Sequence, residues 1–243
     1  MRGDGATRRL ASSLALVAAF ASVRIAGAEP AAPERLQGAD RAALAPTYAP
    51  GVFVPEYTPP APGSYALPVI ATVDDHPLLD VDGRETTLFA LTAERIAVVA
   101  FVYTTCVEAL GCPVSHAVLY RLDRTLADDP ALAARVRLVT LSFDADRDTP
   151  ERMAAERRRY DPRADWRFAT TRGGAELQAL LDDFDQPVAK LRFEDGTWSG
   201  LFRHVLKVFL LDPRHRVRAI YSTGFLNQEL VLNDVKTLAA ATD

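Results

Sequence analysis

Beyond Arg2, Arg8 and Arg9 the sequence has no cluster of lysines and arginines except the short run ERRRY, which reads as one solvated helix face. The 243 residues carry a formal charge of −4 with a pI near 5.6. No surface for tracking phosphates is written into such a chain, so nucleic acid is not an expected partner. A membrane-length apolar run is also missing: Leu10 to Val23 amounts to about 14 residues, where about 20 are needed to cross a bilayer. No cysteine follows that run, which excludes a lipoprotein. There is no internal repeat and no second domain. Cysteine itself is scarce, with two in the whole chain. They do not form a CxxC motif, which argues against a general-purpose dithiol oxidoreductase.

What is present begins with an export pattern. Arginines precede the apolar run, and the small residues Ala26 and Ala28 follow it at the spacing of a signal-peptidase site. Residues 1–28 therefore read as a removed signal, with an uncleaved anchor as the alternative; an anchor of this kind is the one expected contact with a membrane. Losing them takes away four arginines and Asp4 and leaves the remainder near −7. Export places the chain in the periplasm or facing it at the inner membrane, an oxidising compartment where a disulfide can form. Residues 29–62 are a Pro/Ala-rich arm or linker. Nine of the sixteen prolines fall between Glu29 and Pro68, and proline fixes φ and removes a donor. A short helix at 33–45 is the one element expected there.

From 63 to 243 the pattern changes to short apolar runs alternating with amphipathic stretches, in a chain that is 49% hydrophobic and able to build a core. LLDVDGRETTL carries an Asp82-Gly83 turn and predicts a hairpin. Ile96 to Tyr103 and Val136 to Phe143 are continuous and β-branched, as strands buried on both faces are. Helices are expected from Pro113 to about Ala127, over TPERMAAERRRY with Asp148 or Thr149 as cap, over GAELQALLDDF, and from about Asn227. WRFAT, HVLKVFLLD and RVRAIYS complete the strands, the last two joined through Pro213-Arg214-His215. The order predicts an α/β fold of the thioredoxin-like kind, a central mixed sheet with helices on both faces and an N-terminal hairpin.

The two cysteines lie in CVEALGCPVSH, directly after the first buried strand. Six residues of helix rise about 9 Å and turn through about 600°, which would separate the thiols beyond the disulfide limit of about 6.8 Å. Cys106 is therefore expected in the loop and Cys112 at the mouth of the helix that Pro113 starts, where the macrodipole favours thiolate over thiol. Three readings stay open: a structural staple, a redox couple, and two ligands of a metal. A staple closing so short a loop contributes on the order of 2 kcal/mol. Two thiolates and an imidazole suit copper, Cu(I) in particular, more than structural zinc, which wants four ligands.

Four histidines are available to complete such a site. His76 and His215 fall in turns and read as solvated surface. His116 stands one helical turn after Cys112, near enough to ligate or tune a thiol. His204 is expected to open the strand HVLKVFLLD, which this topology sets beside the first one.

FVYTTC…GCPVSHAVL, SFDADRDTPERM, WRFAT, HVLKVFLLDP and RVRAIYS together resemble the SCO/SenC family, thioredoxin-like copper-binding proteins that serve assembly of the copper A centre of cytochrome c oxidase. The resemblance covers about Pro62 to the C-terminus. It implies copper as Cu(I) and/or Cu(II), held by Cys106, Cys112 and His204, the histidine standing five before Phe209; His116 becomes secondary. It implies a copper-accepting partner such as an oxidase subunit, and a thiol-disulfide reductant to keep Cys106 and Cys112 reduced. The chain departs from the family pattern in its CxxxxxC spacing where CxxxC is usual, in Val107 where proline is usual, and in Val205 where serine is frequent. The family's acidic turn corresponds to SFDADRDTPE, so Asp144 and Asp146 are candidates to tune the site electrostatically. The same turn is not a calcium loop, since Thr149 and Ala155 occupy positions that need Gly and Glu. The expected function is that of an exported copper chaperone. A thiol-disulfide oxidoreductase is the alternative, and a non-catalytic exported domain with a structural disulfide the third reading; no catalytic residue is assigned.

Overall fold

The structure, a computed structural model, describes residues 58–106 and 111–241. The export segment, the short helix expected at 33–45, most of the arm, and residues 107–110 of the cysteine loop lie outside the described residues. In chain order the elements are β1 (Ala71–Thr72), β2 (Pro77–Asp80), β3 (Glu85–Thr87), α1 (Leu88–Thr92), β4 (Ile96–Val102), α2 (Cys112–Ala127), α3 (Pro130–Ala133), β5 (Val136–Ser142), α4 (Pro150–Tyr160), β6 (Trp166–Thr170), α5 (Gly174–Asp183), β7 (Val188–Arg192), β8 (Trp198–His204), β9 (Lys207–Leu211), β10 (Arg216–Ser222) and α6 (Gln228–Ala240).

The two continuous apolar runs form the centre. Every residue of β4 and β5 is buried, and the two pair in parallel from Ile96 opposite Val136 to Val102 opposite Ser142. On the far side of β5 lies β6, also parallel, while β9 flanks β4 antiparallel. The sheet runs β1-β10-β9-β4-β5-β6-β2-β3. Alternation along β4 divides the core in two. Ile96, Val98 and Ala100 pack with Val118 and Leu122 of α2, Met153 of α4, and Val231 and Val235 of α6. Ala97, Val99 and Phe101 pack with Leu88 and Leu91 of α1 and Leu180 and Leu181 of α5. Each of the larger side chains among these contributes about 1.5–3 kcal/mol by leaving water. The expected hairpin is β2–β3: Gly83 takes φ 75, and Asp80 Oδ1 accepts from the N–H groups of Asp82 and Arg84, each at 2.9 Å.

One element departs from the sequence reading. HVLKVFLLD is not one strand: His204 ends β8, opposite Val188 of β7, and β9 starts only at Lys207. The β7–β8 hairpin pairs with itself and stands apart from the main sheet. Its turn carries the same signal as the first hairpin, Asp195-Gly196, with Gly196 at φ 83 and Asp195 Oδ1 accepting from Thr197 N–H at 2.8 Å. Two histidines read as solvated are also held by partners. His76 is buried and its Nε2 lies 2.8 Å from Asp183 Oδ2, while His215 stacks on Phe89 with ring centroids 3.7 Å apart.

Candidate metal centre

The chain leaves β4 through Tyr103, Thr104 and Thr105 to reach Cys106. Its path is fixed by Asp148, a fully buried carboxylate. It accepts from Thr104 N–H at 2.9 Å, Thr104 Oγ1 at 2.5 Å and Ser142 Oγ at 2.6 Å. Asp148 is therefore not the cap of α4. That role falls to Thr149, whose hydroxyl accepts from Arg152 N–H, with Pro150 in the first turn. A carboxylate with three donors around it, at the ends of two neighbouring strands, ties the cysteine loop to the sheet.

Cys112 is the first residue of α2, after Gly111 and before Pro113. It is buried, and its Sγ accepts from the N–H of Tyr103 at 3.5 Å. The helix terminus does not win here. The Cys112 thiol is pushed well above the ordinary thiol range, first by its hydrogen bond with Cys106 and then by burial, while the Tyr103 N–H pulls the other way. Neither cysteine is in a disulfide; Cys106 is half-buried and Cys112 buried. A hydrogen-bonded thiol pair with one buried member keeps a proton until a soft cation replaces it.

The third side chain comes from the hairpin. His204 is half-buried at the end of β8, against Tyr103 (centroids 5.8 Å, planes at 86°) and Phe143 (5.1 Å). One ligand atom each from Cys106, Cys112 and His204 lie within 4.8 Å of one another. Among the described residues this is the one group of three or more His, Cys, Asp or Glu side chains so placed. Residues 98 positions apart in sequence are brought together because β8 delivers His204 to the end of β4. Two sulfurs and one imidazole form a soft, three-donor set.

His116, Asp144 and Asp146 do not join that group. His116 is buried beside Tyr160, ring centroids 4.7 Å apart, and its Nε2 has no hydrogen-bond partner among the described residues. Burial, and then the Arg159 charge, lower its pKa to about 4. Asp144 is buried in an ion pair with Arg147, and burial raises its pKa despite that pair. Asp146 is exposed and pairs with Lys190 of β7. Neither carboxylate belongs to the group formed by the two sulfurs and the imidazole.

A family model described as SCO1/SenC matches residues 69–240. The chain belongs to the SCO1/SenC family. Solved Sco structures share the fold. Copper-bound ScoI from Arabidopsis thaliana aligns with a TM-score of 0.59 at 18% identity, over 71% of this chain and all of that one. An SCO1/SenC lipoprotein from Bacillus anthracis gives 0.58 at 25% identity, over 71% and 97%. BsSco gives 0.57 at 21% identity, over 73% and 99%. It is described as a member of the Sco family of cytochrome c oxidase assembly proteins, with a disulfide switch. No curated protein matches the chain. The thioredoxin-like α/β order is thus the architecture this SCO1/SenC chain adopts. Its longer CxxxxxC loop still leaves Cys106 and Cys112 side by side.

Tyr103, Asp148 and Phe202 were not read from the sequence as parts of the site. Tyr103 follows a buried strand and Asp148 sits in an acidic turn, each with a sufficient local explanation of its own. Phe202, whose ring meets Tyr103 and Phe143 at 5.1 and 5.3 Å, belongs to the overlooked hairpin. The Asp195-Gly196 turn was the signal that would have placed it.

Proposed function

We propose that this SCO1/SenC protein is an exported copper chaperone that carries Cu(I) on Cys106, Cys112 and His204 and delivers it to a copper-accepting protein on the periplasmic side of the inner membrane. The observation that carries the reading is the convergence of two sulfurs and one imidazole within 4.8 Å. Three donors leave room for another. An acceptor thiolate or imidazole can attach before the donor ligands leave, so the cargo passes by ligand exchange without being released to water. Cys106, the less buried thiol, is the natural point of entry and departure. The copper bound in Arabidopsis ScoI and the oxidase-assembly role described for the family of BsSco support the choice of cargo and of a cytochrome c oxidase subunit as acceptor. The test is a Cu(I) titration of the reduced protein against a competing chelator. One equivalent bound tightly by wild type, and much more weakly by Cys106→Ser, supports the reading; no specific uptake refutes it.

A second reading rests on the hydrogen bond between the two thiols. The dithiol is placed to reduce a disulfide in the acceptor: Cys106 attacks, Cys112 resolves the mixed disulfide, and two electrons and two protons pass to the acceptor cysteines. Turnover of a protein disulfide that survives His204→Ala and is lost in Cys106→Ser would favour it.

A further inference from the structure

His204 and the two cysteines belong to parts of the molecule that no strand ladder joins. Cys106 and Cys112 hang from β4 and α2. His204 ends a hairpin that pairs, among the described residues, only with itself. Apart from the two-residue link Val205-Leu206 into β9, which pairs with β4, side chains set the distance between the imidazole and the sulfurs. At its base the hairpin is held by Gln186, whose Nε2 donates to Val205 O at 2.9 Å. Along its length Arg147 ties it to the turn that follows β5.

We infer that Arg147 is the positioning residue for the third ligand: it seats the β7–β8 hairpin against the ends of β4 and β5 and thereby fixes His204 opposite Cys106 and Cys112. Its consequence for copper rests on the function proposed above. The guanidinium works in three directions. Its Nε donates to the buried carboxylate of Asp144, its Nη2 donates to Gly200 O at 2.9 Å, and its plane lies over the Trp198 ring at 4.3 Å, with Phe202 at 5.7 Å. Gly200 has φ 84, a left-handed conformation open to glycine, and a Cβ there would lie 3.5 Å from Nη1. Lys190, paired with Asp146, covers the same Trp198 at 4.7 Å.

A planar, forked cation meets all of these demands at once, and an ammonium cannot. An exposed ion pair would hold little. This one is sheltered, since the Asp144 side chain is 1% exposed and that of Arg147 27%. Asp144 thus acts on the site through Arg147, which gives the acidic turn a mechanical role in place of direct electrostatic tuning. Phe202 follows two residues after Gly200 and buries its ring between Tyr103 and Phe143, so the seating of Gly200 carries to His204 through two further residues of β8.

The experiment compares full-length wild type, Arg147→Met and Arg147→Lys, each with and without His204→Ala. It uses hydrogen exchange by mass spectrometry and Cu(I) competition under reducing conditions. Amides of 188–204 exchange faster in Arg147→Met while those of β4 and β5 stay protected, and Arg147→Lys falls between. Cu(I) affinity drops roughly tenfold in Arg147→Met, the scale of losing a group that orients a ligand. In the His204→Ala background Arg147→Met produces no further drop, because its effect passes through His204. Unchanged hairpin exchange in Arg147→Met, or a further tenfold loss in the His204→Ala background, overturns the inference. Should Arg147→Met fail to fold, the Lys variant carries the same comparisons. Hydrogen exchange reads the seating with or without metal, so a wild type that takes up no copper refutes the proposed function while the seating is still decided by exchange.

Discussion

The ring of His204 stands edge-on to that of Tyr103, centroids 5.8 Å apart and planes at 86°. The same tyrosine donates its backbone N–H to Cys112 Sγ at 3.5 Å. Tyr103 thus touches both halves of the candidate site, the helix-mouth thiol through its backbone and the hairpin imidazole through its ring. It is buried among Phe143 and Phe202 and closes the inner wall of the centre. A metal held by Cys106, Cys112 and His204 would lie near the Tyr103 and Phe143 rings, with Cys106 as its less buried sulfur ligand.

Tyr103→Ala removes the first of those rings. Truncating a buried aromatic costs about 3–5 kcal/mol, and the space left between Phe143, Phe202 and His204 frees the imidazole. A lowered urea midpoint together with weaker Cu(I) binding is expected, whereas stability lost with copper affinity intact would show that the ring supports the core alone.

Asp148→Ala strands the N–H of Thr104 and the hydroxyls of Thr104 and Ser142. With buried donors left unpaired the loss should be about 3 kcal/mol. Because these bonds guide the chain to Cys106, the thiol should also become more reactive toward a bulky alkylating reagent. Chemical denaturation and timed alkylation measure the two effects separately.

Copper binding should release protons. The Cys112 thiol is held protonated in the folded protein by its bond with Cys106 and by burial, so a cation must displace that proton. Apparent Cu(I) affinity therefore rises with pH through the neutral range. Calorimetry in buffers of different ionisation enthalpy reads the protons directly. A heat independent of buffer would mean the thiol was already ionised.

His116 makes folding stability depend on pH in the acid range. Its pKa falls from the ordinary histidine value of 6.5 to about 4 in the folded protein, through burial first and the Arg159 charge second. Above 6.5 it is neutral folded or unfolded and has no effect. As pH falls below 6.5 the unfolded chain takes up a proton the native state refuses, so stability is lost progressively down to pH 4, by about 3 kcal/mol in all. Urea unfolding at several pH values should show this slope in wild type, and a reduced one in His116→Phe.

Much of the site was written locally in the sequence. Cys106 and Cys112 are placed by a buried strand, a short loop and a proline that starts a helix, and the alternation of runs gives the thioredoxin-like order. Topology made His204 a candidate, and the family resemblance made it the third ligand. The hairpin that carries it has no clean period of two: along β7 and β8 only Phe202 is buried, and the rest is half-buried or exposed. A strand pair with a single buried side chain writes no alternating pattern, so Asp195-Gly196 was its one local mark. The helix-terminus expectation for Cys112 failed for a related reason. The dipole is a property of the helix alone, whereas burial and the Cys106 contact arise only when the loop folds back.

Whether His204 completes a copper site begun by two thiols is decided by a Cu(I) competition titration of the reduced protein, wild type beside His204→Ala, with the copper environment read by X-ray absorption. The expected result is one copper per wild-type chain with sulfur and nitrogen donors, and at least about a tenfold loss of affinity with the nitrogen signal gone in the variant. Equal affinities, with sulfur donors only in both proteins, would contradict it.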